Sequence, residues 1–171
     1  TLDARKDVDG MTTWSLGALV TGAAGFAPCT AEACMTLLRA HGIDPAGKRV
    51  TVVGRSLVIG RPAALLLTRA NATVTLCHRK TPDLAARCRA ADILLAAAGA
   101  PGLITPECVR PGQIVLDAGA TALSDGTLRG DVTPAAAAIA ACTPVPGGIG
   151  SVTTALLLRH TVQAAEKSHH F

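Results

Sequence analysis

The sequence has 171 residues, 49% of them hydrophobic and only 2% aromatic, with no tyrosine and a net charge of +4. At this length one core buries roughly 70% of the unfolded surface, so folding calls for neither a disulfide nor a metal. The shortage of rings argues against a nucleic-acid reader built on stacked bases, and the thinly spread positive charge implies only mild attraction for an anionic ligand.

Residues 1–29 read as irregular, with four glycines and the charged run Lys6-Asp7-Val8-Asp9. Thr30 reads as the N-cap of a helix through Ala40, stopped by Gly42. Arg49–Val53 is a β-branched run closed by Gly54, the pattern of a buried strand. A helix is expected from Pro62 to Ala70 and a second strand over Thr73–Cys77. Thr81 is expected to cap a helix with Pro82 at its first position, running to Ala90. Ile93–Ala97 reads as the third strand, Thr105-Pro106-Glu107 as the start of a short helix, and Gln113–Asp117 as the fourth strand. A fifth strand is expected at Gly130–Val132, an alanine-rich helix from Pro134 to Cys142, a sixth strand at Thr143–Val145, and a last helix over Val152–Lys167.

The first four strands recur about every 20 residues with helices between them, which is the pattern of βαβ units and a parallel sheet. The fold class expected is therefore α/β: a Rossmann-like, doubly wound, mostly parallel sheet with helices on both faces. The chain divides into an irregular 1–29 segment, a 30–150 sheet domain and a 151–171 C-terminal helix. Such sheets bind ligands at the carboxyl ends of their strands. The six cysteines form no CxxC pair and show no zinc spacing with histidine, so reduced thiols in a cytoplasmic protein are expected, with no metal. No apolar run reaches about 18 residues, so no membrane span is expected.

The loop Gly54-Arg55-Ser56-Leu57-Val58-Ile59-Gly60-Arg61-Pro62 is the candidate coenzyme site. Gly54 permits a sharp turn and Gly60 a close approach. A helix N-terminus supplies free N–H groups for phosphate, and Arg55 and Ser56 can add contacts. The spacing differs from GxGxxG, so an ordinary strand-to-helix turn stands as the alternative. NAD-binding domains usually carry an acidic residue at the end of the second strand. Here His78, Arg79 and Lys80 stand there instead, a basic setting that suits the 2′-phosphate of NADP; solvated loop charges are the alternative for Arg79 and Lys80.

Lys6-Asp7-Val8-Asp9-Gly10, Pro28-Cys29-Thr30, Val53-Gly54-Arg55-Ser56, Gly60-Arg61-Pro62, Cys77-His78, Gly130-Asp131-Val132 and Thr143–Gly150 follow one another in the order seen in the bifunctional methylenetetrahydrofolate dehydrogenase/cyclohydrolase family. The whole chain resembles that family. The resemblance implies NADP-dependent oxidation of methylenetetrahydrofolate to the methenyl form. It implies coenzyme roles for Gly54, Arg55, Ser56, Gly60, His78, Arg79, Gly99, Gly119, Thr143 and Pro144. It places the folate against Asp9, Pro146, Gly147 and Gly148, with Asp9 accepting N–H bonds from the pterin; a loop aspartate serving backbone N–H groups is the alternative. It also implies a homodimer.

Four departures stand out. The catalytic Tyr and Lys of the family's N-terminal region are absent, so no catalytic residue is assigned. That region is expected elsewhere on a longer polypeptide or on a separate catalytic subunit. Ser151-Val152-Thr153 replaces the family's Pro-Met-Thr, Gly119-Ala120-Thr121 replaces Gly-Ile-Asn, and Arg79 replaces Ser. The competing readings are an NADP-binding module or partner subunit without turnover, and a redox enzyme acting on a non-folate substrate.

Overall fold

The computed structural model describes residues 2–168. The elements in chain order are α1 (Thr13–Thr21), α2 (Cys29–Ala40), β1 (Arg49–Val53), α3 (Gly60–Arg69), β2 (Thr73–Cys77), α4 (Leu84–Ala90), β3 (Ile93–Ala96), β4 (Ile114–Asp117), β5 (Thr121–Ala122), β6 (Leu128–Arg129), α5 (Pro134–Ala137), β7 (Ala141–Cys142) and α6 (Ile149–Ser168). Five strands form a parallel sheet in the order β2-β1-β3-β4-β7. The chain therefore winds outward in both directions from β1, and the switch point lies between β1 and β3, where open α/β sheets place their ligand crevice.

The sheet interior reads as it does because it is covered on both faces. Val50, Val52 and Leu95 pack against α2, α3 and α6 in one core. Val53, Leu94, Ala96 and Val115 pack with Cys77, Cys88 and Cys108 in the other. At the amino ends of the strands, Asp92 accepts the Arg49 backbone N–H and pairs with the guanidinium groups of Arg49 and Arg110. All six cysteines are unpaired.

Several elements differ from the sequence reading, each for a physical reason. The segment read as irregular contains α1. Buried Asp7 accepts N–H bonds from Met11 and Thr12 and a hydroxyl bond from Ser15, and the Thr12 hydroxyl accepts the Ser15 N–H. The helix thus starts on the Thr12 cap and on a carboxylate four to eight positions upstream rather than on apolar periodicity. Thr30 does not cap α2: the helix begins at Cys29 with Pro28 as its N-cap, which places Thr30 inside the first turn, and the Asp9 carboxylate, 20 positions upstream, accepts the Cys29 N–H at 3.4 Å. Thr81 does not cap α4; its hydroxyl accepts the His78 N–H and closes a turn instead. Gly130–Val132 is no fifth strand but an isolated bridge from Val132 to Ile104, because the N–H groups of Asp131 and Val132 are taken by the Asp117 carboxylate. The alanine-rich helix stops at Ala137, and the last sheet strand is Ala141–Cys142 rather than Thr143–Val145. A hairpin, β5–β6, turns around Asp125-Gly126, a turn signal that marks hairpins. The expected C-terminal helix starts earlier, at Ile149, and residues 169–171 of that expectation lie outside the described residues.

Burial pushes the Asp7 carboxyl up, but the bonds from Ser15, Thr12 and Met11 outweigh it and hold the group down at about 2, against an ordinary 3.8. A depressed folded value means stability present above the unfolded value and lost as pH falls through the folded one. Asp7→Ala is expected to cost roughly 1–2 kcal/mol at neutral pH. In urea titrations at stepped pH, the wild-type advantage should shrink between about pH 4 and pH 2; an advantage constant across that window would contradict the assignment.

Candidate functional site

The turn after β1 is built on two contacts that admit no side chain. A Cβ at Gly54, where φ is +124°, would lie 2.0 Å from the Ala97 carbonyl oxygen. A Cβ at Gly60 would lie 2.0 Å from the Gly54 carbonyl oxygen. The first contact brings the loops after β1 and β3 together at the switch point, and the second brings the start of α3 down onto the turn. Between them Arg55, Ser56, Leu57 and Val58 are exposed. The Ser56 hydroxyl accepts the Ile59 N–H at 3.1 Å, and the Ser56 carbonyl accepts the Arg61 N–H. Among the described residues the backbone N–H groups of Arg55, Ser56 and Leu57 meet no acceptor. A backbone turn held open in this way, at a helix N-terminus, fits phosphate oxygens.

The end of β2 forms the neighbouring wall. The turn His78–Thr81 is closed by the Thr81 N–H on the His78 carbonyl, and His78 Nδ1 accepts the Lys80 N–H at 3.1 Å. This fold of the chain leaves Arg79 and Lys80 exposed. Asp83, the first carboxylate after β2, lies beyond that turn. Arg55 and Arg79, from two adjacent strand ends, therefore give the site its positive side.

Asp117 and Asp131 organise the remaining loops, and the sequence reading assigned neither a site role. Asp131 is fully buried and accepts the N–H groups of Ala98, Gly99 and Ala100 at 2.6–3.1 Å. Asp117 accepts those of Gly119, Asp131 and Val132. Burial pushes the Asp117 carboxyl up, the N–H groups of Val132, Asp131 and Gly119 pull it down, and the nearby Asp131 carboxylate adds to the rise. The signal available in the sequence was an aspartate ending a β-branched strand and another after Gly130, where a Cβ would lie 2.0 Å from Asp117 Oδ2. Gly99, with φ +62°, sits on the loop that Asp131 holds, and Gly119 packs directly on the Asp131 carboxylate.

The cysteines take no part in this site. Burial pushes the Cys34 and Cys88 thiols up to about 12 and Cys142 to about 11, far from nucleophilic character.

A cavity of about 450 Å³ opens beside the turn, lined by Ile59, Asp117, Gly119, Pro144, Pro146, Gly147, Gly148 and Thr30, among others. It joins five of the residues expected to meet folate or nicotinamide to the first turn of α6. Thr143 faces elsewhere: its hydroxyl accepts the Asp117 N–H at 2.8 Å, and it lines an adjoining cavity with Leu37, Leu38 and Val152. The Val145–Pro146 peptide is cis. Asp9 is exposed and is not among the residues lining the cavity; its carboxylate accepts the N–H of Cys29, the neighbour of Thr30 on the cavity wall, at 3.4 Å. Ser151 borders the cavity, so the change from the family's Pro falls on the pocket wall.

Residues 28–169 match the model of the tetrahydrofolate dehydrogenase/cyclohydrolase NAD(P)-binding domain. The chain belongs to that family. It is 57% identical over 166 residues to the bifunctional protein FolD 1 of Rhodococcus jostii, covering 96% of this chain and 56% of that protein. It is 50% identical over 164 residues to the FolD protein of Moorella thermoacetica, covering 95% and 59%. Among solved structures, the bifunctional FolD of Campylobacter jejuni superposes with a TM-score of 0.92 at 41% identity, over 97% of this chain and 60% of that one. The Trypanosoma brucei enzyme, complexed with NADP and an inhibitor, gives 0.91 at 40% identity, over 99% and 61%. The chain thus spans less than two thirds of each of these relatives.

Gly60→Ala is expected to cost at least about 3 kcal/mol, because its Cβ meets backbone rather than a movable side chain. Asp131→Ala is expected to cost a similar amount, roughly 3 kcal/mol, by orphaning three N–H groups. Urea denaturation checks both, and a loss under about 1 kcal/mol in either would contradict the geometry.

Proposed function

We propose that this chain holds NADP for the oxidation of methylenetetrahydrofolate to methenyltetrahydrofolate. The observation that carries the reading is the glycine-built turn at the switch point, flanked by Arg55 and Arg79 with no carboxylate at the end of β2. A carboxylate there would bond the ribose hydroxyls of NAD; guanidinium groups match a phosphate monoester.

The open N–H groups of residues 55–57 and the Ser56 hydroxyl would hold the pyrophosphate, and Arg55 and Arg79 the 2′-phosphate. NADP, when bound, supplies the hydride acceptor. The protein's own share is positioning. Gly99 leaves open space on the loop that Asp131 fixes, and Gly119 lets the cavity wall close onto the Asp131 carboxylate. Asp9 offers an acceptor for the N–H edge of an aminopyrimidine. The Gly147-Gly148 segment forms the cavity wall, where small residues let a flat ring approach the backbone.

Hydrolysis of the methenyl product is a separate step that the family resemblance assigns to a Tyr and a Lys outside the matched segment, and these 171 residues contain no tyrosine. That observation favours one second reading: a coenzyme-binding module that turns over only with a catalytic region supplied to it. Both readings include a homodimer through the sheet domain and a cytoplasmic setting, which six unpaired thiols support.

Two measurements test this. In titration calorimetry the chain should bind NADP more tightly than NAD, and Arg79→Ser should weaken NADP roughly tenfold, about 1.4 kcal/mol, while changing NAD less than about twofold. Equal affinity for both coenzymes, or no binding at millimolar ligand, would sink the assignment. Sedimentation at tens of micromolar should show a dimer; a monomer would remove the homodimer from the proposal.

A further inference from the structure

Behind Asp9 lies a buried cluster that the coenzyme site does not use. His160, on α6, is 2% exposed. Its ring stacks on Phe26 with centroids 4.4 Å apart. On one side Nδ1 stands 2.9 Å from the Val8 carbonyl oxygen. On the other, Nε2 stands 3.2 Å from Glu32 Oε2. Arg159 donates to the second Glu32 oxygen. The Val8 carbonyl faces one ring nitrogen and the Glu32 carboxylate the other, so the imidazole bridges the segment before Asp9 to α2.

Cys29 Sγ lies 3.5 Å from Nδ1. Burial, then Asp9 and Glu32, push that thiol up to about 12, so it supplies no competing thiolate. The other charges nearby are Lys167, over the Phe26 ring at 5.2 Å, and Asp9, reached through the Cys29 N–H.

An apolar side chain would stack on Phe26 as well as an imidazole does, and a buried ion pair is a poor source of stability. What the pair does achieve is directional. The Val8 carbonyl, one residue before Asp9, is tethered to α6 at 2.9 Å, whereas Asp9's own bond to the Cys29 N–H is long at 3.4 Å. The tether, more than its own bond, sets where the Asp9 carboxylate stands.

We propose that His160, paired with Glu32, is a positioning residue for substrate: through the Val8 carbonyl it holds the Asp9 carboxylate beside the Thr30 wall of the cavity. The proposal rests on the folate reading of Asp9 given above. It assigns substrate affinity, and not coenzyme affinity, to a side chain that touches neither ligand.

The test uses the 171-residue chain. In calorimetry, His160→Phe, which keeps the stack and loses both ring-nitrogen contacts, should weaken tetrahydrofolate roughly tenfold, the scale of one hydrogen bond. NADP affinity should change less than about twofold, which also reports that the variant is folded. Glu32→Gln should act in the same direction. In an Asp9→Ala background His160→Phe should have no further effect on tetrahydrofolate. Unchanged tetrahydrofolate binding in His160→Phe, equal loss of both ligands, or full additivity with Asp9→Ala each overturns the proposal. A wild-type chain that binds NADP but no tetrahydrofolate removes the folate reading itself and this proposal with it, an outcome distinct from a silent His160 variant.

Discussion

Asp117 and Asp131 accept three backbone N–H groups each, and the loops at the carboxyl edge of the sheet are hung on those six bonds. One carboxylate shapes the loop after β3, and the other ties the end of β4 to the segment that carries the first. Buried carboxylates are tolerated only when such donors surround them. The arrangement leaves the loops short of internal backbone pairing, with no regular structure of their own, and still fixed. That combination suits a coenzyme domain: N–H groups and glycines exposed to a ligand, on loops held by buried carboxylates.

The two halves of the site rest on different physics. The coenzyme end is backbone chemistry. The close approaches at Gly54 and Gly60 are intolerant of any side chain, and only the outer residues Arg55 and Arg79 can vary the charge without disturbing the turn. The substrate end is side-chain chemistry on the rim of a cavity. There the family's Pro-Met is replaced by Ser151-Val152, and the Ile-Asn after Gly119 by Ala120-Thr121, with no backbone clash to forbid it. Departures from the family pattern thus collect where the structure can absorb them.

The segment before α2 links these halves to the rest of the molecule. Asp7 organises α1 behind the segment, Asp9 caps α2 in front of it, and the carbonyl between them is held by His160 from the far end of the chain. A loop that reads as irregular is therefore pinned at three successive residues, each by a different element.

Much was legible in the sequence. The first four strands were found to within a residue: β1, β3 and β4 are largely buried and read as continuous apolar runs, and the more exposed edge strand β2 reads as a β-branched run closed by His78. The turn at Gly54–Gly60 and the basic end of β2 were legible because their chemistry lies in consecutive residues. What the sequence alone determined is the α/β class, the glycine turn after β1 and the basic end of β2. What only the tertiary structure decided is how distant segments meet: the Asp9 bond to the start of α2, the reduction of Gly130–Val132 from a strand to an isolated bridge by Asp117, and the His160–Glu32 contact. Periodicity and spacing report on neighbours a few residues apart. A carboxylate 14 positions away leaves no periodic trace in the segment it organises, and neither does an imidazole 152 positions away from the carbonyl it holds.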